Sequence, residues 1–130
     1  MEKAVHVPRL VLAGTLDRYL RRQLIIGHMG ETLPVMMARC DMTMPQKQTR
    51  LTRAISQMLR NQVHLTTSGI FTRPPPEAAL ATFGVDRILF LVDYPYAENA
   101  QGRQFLDGLV PPAEVEKRAY GNADQLLKLQ

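Results

Sequence analysis

The residues of this chain best placed to do chemistry are a histidine and two carboxylates at the ends of apolar runs. Leu24-Ile25-Ile26 leads into Gly27-His28-Met29-Gly30-Glu31, and Ile88-Leu89-Phe90-Leu91-Val92 leads into Asp93-Tyr94-Pro95. An imidazole serves as a general acid or base near neutral pH, or as a metal ligand. The glycines around His28 permit close backbone approach and leave the ring uncrowded. Glu31 can orient that ring or cap a helix starting near Leu33. Burying an unpaired carboxylate after five apolar residues is costly, so Asp93 calls for a metal, a cation or several donors. Helix capping after the strand is its plainer role. Ser68, closing Val63-His64-Leu65-Thr66-Thr67, and Tyr94, beside Asp93, are the candidate substrate contacts, although Thr-Thr-Ser before a glycine is also ordinary strand-end chemistry. His6 and His64 read as structural. Cys40 reads as a small buried hydrophobe within a helix. The chain has no Gly-x-Ser-x-Gly, no P-loop and no Gly-x-Gly-x-x-Gly, which argues against a hydrolase elbow or a nucleotide fold.

These residues need a scaffold of strands and helices. The apolar runs predict three strands at about 24–27, 63–67 and 88–92, each a continuous hydrophobic stretch suited to a sheet covered on both faces. Helical spacing predicts one helix over residues 4–19 and two within 33–59, divided at Pro45. Another runs over 77–83 after Arg73-Pro74-Pro75-Pro76, with Gly84 as its C-cap. Three more follow at about 98–108, 112–120 and 122–129, the last two begun by Pro112 and Asn122. The order α-β-αα-β-α-β-ααα leaves room for a helical crossover between strands, so the pairing should be parallel and the class α/β. Period-two alternation would put Leu24 and Ile26 on the side of His28, and Leu89 and Leu91 on the side of Asp93. Met36, Met37, Met42, Met44 and Met58 read as core filler.

Composition narrows the function classes. The 130 residues are 45% hydrophobic, enough apolar content for one core. No apolar run approaches the length of a membrane span, and no signal-peptide pattern begins the chain. The lone cysteine excludes an internal disulfide and is compatible with a reducing cytoplasm. Sixteen Lys and Arg against twelve Asp and Glu give +4. These bases are scattered and not interleaved with aromatics, so they read as a solvated helical surface rather than a nucleic-acid site.

Gly27-His28-Met29-Gly30-Glu31-Thr32-Leu33-Pro34, taken with Val92-Asp93-Tyr94-Pro95-Tyr96 and Gly121-Asn122-Ala123, resembles the amidohydrolase-related family. The likeness is to its metal-dependent decarboxylases of the γ-resorcylate, 5-carboxyvanillate and aminocarboxymuconate-semialdehyde type, and it extends over nearly the whole chain. It implies a partial (β/α)8 TIM barrel. Residues 1–130 would form one domain, the C-terminal half, carrying strands six to eight. By the same resemblance His28 assists proton transfer with Glu31 as its acidic neighbour, and Asp93 binds a divalent metal, zinc or manganese. The implied reaction is non-oxidative decarboxylation of a hydroxylated aromatic or related carboxylic acid.

The family's other metal ligands, an acidic-x-His or His-x-His pair on the first strand and a histidine on the fifth, have no counterpart here. A tight zinc site takes three or more protein ligands. Metal binding by the chain alone is therefore expected to be weak or absent, and the chain inactive by itself. Three apolar strands with two open edges invite pairing. The expected partners are a second copy of the chain or a complementary N-terminal chain, with a small carboxylic acid as substrate of the completed site. The alternatives are a non-catalytic remnant, an oligomerising module or a hydrolase of the same superfamily.

Overall fold

The computed structural model describes residues 2–108 and 115–129. Helices α1 (Lys3–Leu12) and α2 (Thr15–Arg18) precede strand β1 (Leu24–Ile26). A 3-10 turn (His28–Gly30) then leads to α3 (Leu33–Thr43), α4 (Gln46–Thr49), α5 (Ile55–Gln62) and β2 (Val63–Thr66). Helix α6 (Pro74–Phe83) and a 3-10 turn (Val85–Arg87) precede β3 (Ile88–Leu89). Helix α7 (Asn99–Asp107), a π-helical turn (Lys117–Gly121) and α8 (Asn122–Leu127) follow. The predicted helix start at Pro112 lies outside the described residues.

The three strands form one parallel sheet in the order β1-β2-β3, as the crossover lengths predict. Leu24, Ile25 and Ile26 pair with Val63, His64 and Leu65, and Leu65 and Thr66 pair with Ile88 and Leu89. Ile26, Val63, Leu65 and Ile88 share one face, and on that face they join Val7, Val11, Leu33, Met37, Ile55, Met58, Leu59 and Phe83 in a single core. Partners in register share a face, so Ile25, His64, Thr66 and Leu89 lie on the other. There Ile25 is 49% exposed at the sheet edge.

Several expectations need correcting. Leu24 and Ile26 pack toward the helices, and the open position of β1 is Ile25. Alternation cannot be carried from β1 to His28, because Gly27 is still extended but His28 itself leaves that conformation, with φ at 56°. The helix expected over 4–19 breaks at Gly14, which takes a left-handed φ of 73° that most residues avoid. The β3 ladder is shorter than 88–92: the Phe90 amide donates to the Arg118 carbonyl and the Leu91 amide to Thr67 Oγ1. Helix α6 takes in all three prolines, since a first turn has amides without intrahelical partners that proline can lack. Asn122 does not cap α8; its side-chain amide donates to the Val85 and Ile88 carbonyls and ties that helix to β3. Met37 and Met58 are buried, but Met36 and Met42 are exposed. Cys40 is partly buried in α3, and burial pushes its thiol pKa up. Arg53 and Arg118 do not belong to a solvated surface: Arg118 is buried, and Arg53 binds Asp17 and Gln62.

Candidate active site

The segments leaving the C-terminal ends of the strands share an unusual backbone. His28, Met29, Glu31, Ser68 and Asp93 all have positive φ, between 39° and 74°; among the described residues only Arg50 and Lys128 are other non-glycine examples. Each such residue costs on the order of 1–3 kcal/mol, and clusters of them are retained where function requires them. Glycines make the close packing possible. A Cβ on Gly30 would stand 2.9 Å from Leu65 Cδ2, and one on Gly27 3.1 Å from Ser68 Oγ.

His28 sits at the centre of this edge. Its Nε2 is 3.5 Å from Asp93 Oδ2, and its Nδ1 is 2.6 Å from Lys3 Nζ. The strands thus bring together the histidine and aspartate that lie 65 residues apart in the sequence. Both side chains remain more than a third exposed, and His28 and Glu31 line an open depression with Thr32, Ile70 and Pro75.

The other candidates fall in different places. Glu31 Oε2 accepts the Ala4 amide at 3.2 Å, so it serves the N-terminus of α1, a helix without a cap from its own N-cap side chain. Thr32, the N-cap residue of helix α3, makes no cap hydrogen bond with its side chain. That Ala4 hydrogen bond, helped by the charge of Lys3, holds the Glu31 carboxyl below its usual pKa. Ser68 is buried and its hydroxyl lies 2.6 Å from Thr66 Oγ1, beside Gly27. Tyr94 is 73% exposed, next to Asp93 in sequence. Lys3 escaped the sequence reading altogether, because nothing in a helix-starting lysine announces a histidine 25 residues away.

Asp93 is held by its surroundings. The Tyr96 and Ala97 amides donate to its backbone carbonyl, and Gly69 lies against its Cβ. Below it Phe71 packs on Phe90 and Phe105, with ring centroids 6.1 and 5.5 Å apart. A Cβ on Gly102 would stand 2.8 Å from Val92 Cγ2, so only glycine lets α7 approach so closely.

A parallel sheet with ionisable groups gathered beyond its carboxyl ends is the arrangement of barrel enzymes. The sequence matches the family model described as Amidohydrolase over residues 1–129. The chain belongs to the amidohydrolase family. It is 36% identical to decarboxylase orsB of Emericella nidulans over 96% of its own length and 40% of that protein's. It is 35% identical to γ-resorcylate decarboxylase of Polaromonas over 98% of this chain and 41% of that one. It therefore spans about two fifths of the length of these relatives.

Solved structures agree. The 2,6-dihydroxybenzoate decarboxylase from Rhizobium superposes with a TM-score of 0.89 at 32% identity, over 97% of this chain and 41% of that one. A dihydroxybenzoic acid decarboxylase from Polaromonas, solved with manganese and the inhibitor 2-nitroresorcinol, gives 0.90 at 33% identity, over 97% and 40%. The fold is accordingly part of a (β/α)8 barrel, and these relatives are decarboxylases, the Polaromonas one with manganese bound.

The donor set within this amidohydrolase chain is incomplete for such an ion. His28 and Asp93 form a pair, and no group of three or more His, Cys, Asp or Glu side chains that could hold a metal occurs among the described residues. Among those residues no helix is long and apolar enough to cross a membrane.

Proposed function

We propose that this chain forms one wall of a decarboxylase active site for a small hydroxylated aromatic acid, with His28 in proton transfer and Asp93 as one ligand of a divalent metal. The observation that carries this reading is the His28–Asp93 approach of 3.5 Å at the carboxyl edge of the sheet. In such a reaction a proton adds to the ring carbon that bears the carboxylate. The bond between that carbon and the carboxylate breaks, its electron pair restores the aromatic ring, and CO2 leaves. His28, half-exposed beside an open depression, is the group of this wall suited to carry that proton. Glu31 holds the turn that presents it against α1, and Ser68 and Tyr94 are the proposed substrate contacts. The metal needs ligands beyond these residues, so the working site requires further barrel strands. The open edge at Ile25 suits pairing with a complementary N-terminal chain.

The test combines the purified chain with the N-terminal three fifths of the Polaromonas decarboxylase, manganese and 2,6-dihydroxybenzoate, and follows CO2 release. The expected result is no turnover by the chain alone and turnover in the mixture that His28→Asn abolishes. Robust turnover without a partner overturns the requirement for further strands. A folded, associated mixture without turnover overturns the catalytic reading.

A further inference from the structure

We infer that Lys3 is a positioning residue that decides which nitrogen of His28 carries the proton. A lysine ammonium has three donors and no acceptor. At 2.6 Å from Lys3 Nζ, His28 Nδ1 can only accept. The ring proton of the neutral imidazole therefore belongs to Nε2, the nitrogen 3.5 Å from Asp93 Oδ2. A neutral histidine bound on one side by an acceptor-free cation has one tautomer available, and the nitrogen facing the carboxylate is the one that bears hydrogen.

Three features of the fold build this contact. Lys3 opens α1, and the next residue, Ala4, donates its amide to Glu31. The first turn of one helix thus grips the 28–31 turn at two points, His28 by a side chain and Glu31 by a backbone amide. The lysine passes over Gly27, where a Cβ would stand 3.4 Å from Nζ. The left-handed φ of 56° at His28 turns the residue out of the line of β1, away from the ladder.

The catalytic meaning of this contact rests on the role proposed for His28: a proton held on Nε2 is one aimed at the metal-ligand side of the site. The tautomer itself does not depend on that role, so the test needs neither metal nor substrate. The two ring nitrogens of His28 are read by 15N–1H correlation in the 130-residue chain at mildly alkaline pH, with His28→Gln identifying the signals among those of His6 and His64. The expected spectrum has a pyrrole-type Nε2 and an imine-type Nδ1. Lys3→Met should move Nδ1 toward a pyrrole-type or averaged position, and Lys3→Arg should restore the original pattern. Unchanged His64 signals in both variants report an intact fold. A protonated Nδ1 in the parent chain, or no change in Lys3→Met with the fold intact, overturns the assignment. A complemented enzyme that fails to turn over leaves this result untouched, so the two readings fail separately.

Discussion

The two ends of the parallel sheet use polar groups for opposite ends. At the amino end, Gln62 is buried and fully engaged: its amide donates to the Tyr19 and Arg22 carbonyls, and its carbonyl accepts from Arg53. Arg53 also binds Asp17, which takes the Thr52 amide and hydroxyl as well. Partial burial opposes ionisation of Asp17, yet the Thr52 and Arg53 hydrogen bonds outweigh it and hold its pKa below the ordinary value. These contacts join α2, the approach to β1, and α5, and ordinary backbone accompanies them. At the carboxyl end, His28 and Asp93 stand half-exposed on left-handed backbone, 3.5 Å apart. One end fastens the fold and the other keeps ionisable groups accessible. Barrels divide stability and function between their two ends in this way.

Substitutions can break this contrast. The largest effect is expected at His28: in the complemented enzyme His28→Asn should lower turnover by about 10²–10⁴-fold. Its free energy of unfolding should stay within about 0.5 kcal/mol of the parent's, because asparagine tolerates the left-handed backbone. Gln62→Ala should do the reverse. It strands two carbonyls and part of a guanidinium inside the fold, lowering stability by about 3 kcal/mol in urea unfolding. A strongly destabilised His28→Asn or a fully stable Gln62→Ala would erase the division.

Gly30→Ala tests whether the functional edge also depends on the core beneath it. With φ at 71° and Leu65 Cδ2 2.9 Å from the new methyl, a loss of about 1–2 kcal/mol is expected by thermal or urea unfolding.

The smallest effect concerns His64, buried at the amino end of β2, with Nε2 3.4 Å from Arg87 and Nδ1 unpaired. Burial first, and the Arg87 charge second, lower its pKa from the ordinary 6.5. The unfolded chain thus binds this proton more readily than the folded one. The contribution to stability is complete above the unfolded value and is lost as pH falls through 6.5 toward the lowered folded value. Urea midpoints measured across that window should decline in the parent and stay flatter in His64→Asn.

Much of the scaffold was legible in the sequence. Strands read at 24–27, 63–67 and 88–92 and separated by helix-length segments admit few arrangements other than a parallel sheet, because each crossover must return the chain to the same end. The ladders themselves are shorter, at Leu24–Ile26, Val63–Thr66 and Ile88–Leu89. His28 and Asp93 stood out because an ionisable group ending an apolar run needs a reason. Other details were not legible for stated causes. Gly14 interrupts a helix whose apolar spacing continues through it, since periodicity does not sense φ. The face of His28 could not be counted from β1, because a 3-10 turn resets the alternation. Glu31 reads as a residue that orients the His28 ring or caps the helix near Leu33, and its carboxylate also accepts the Ala4 amide of a helix 27 residues earlier. Tyr94 reads as a substrate contact beside Asp93, and its side chain is largely exposed.

Residue types and order by themselves determined the family, the three strands, and the presence of a histidine and an aspartate at strand ends, because these depend on local periodicity and on which groups tolerate burial. Only the tertiary structure decided what each ionisable group touches. The Lys3–His28 contact, the Glu31–Ala4 hydrogen bond and the Gln62–Arg53–Asp17 network join residues 9 to 45 positions apart. Such distances close only when helices pack on a sheet, and that packing is set by the core as a whole and not by any local pattern.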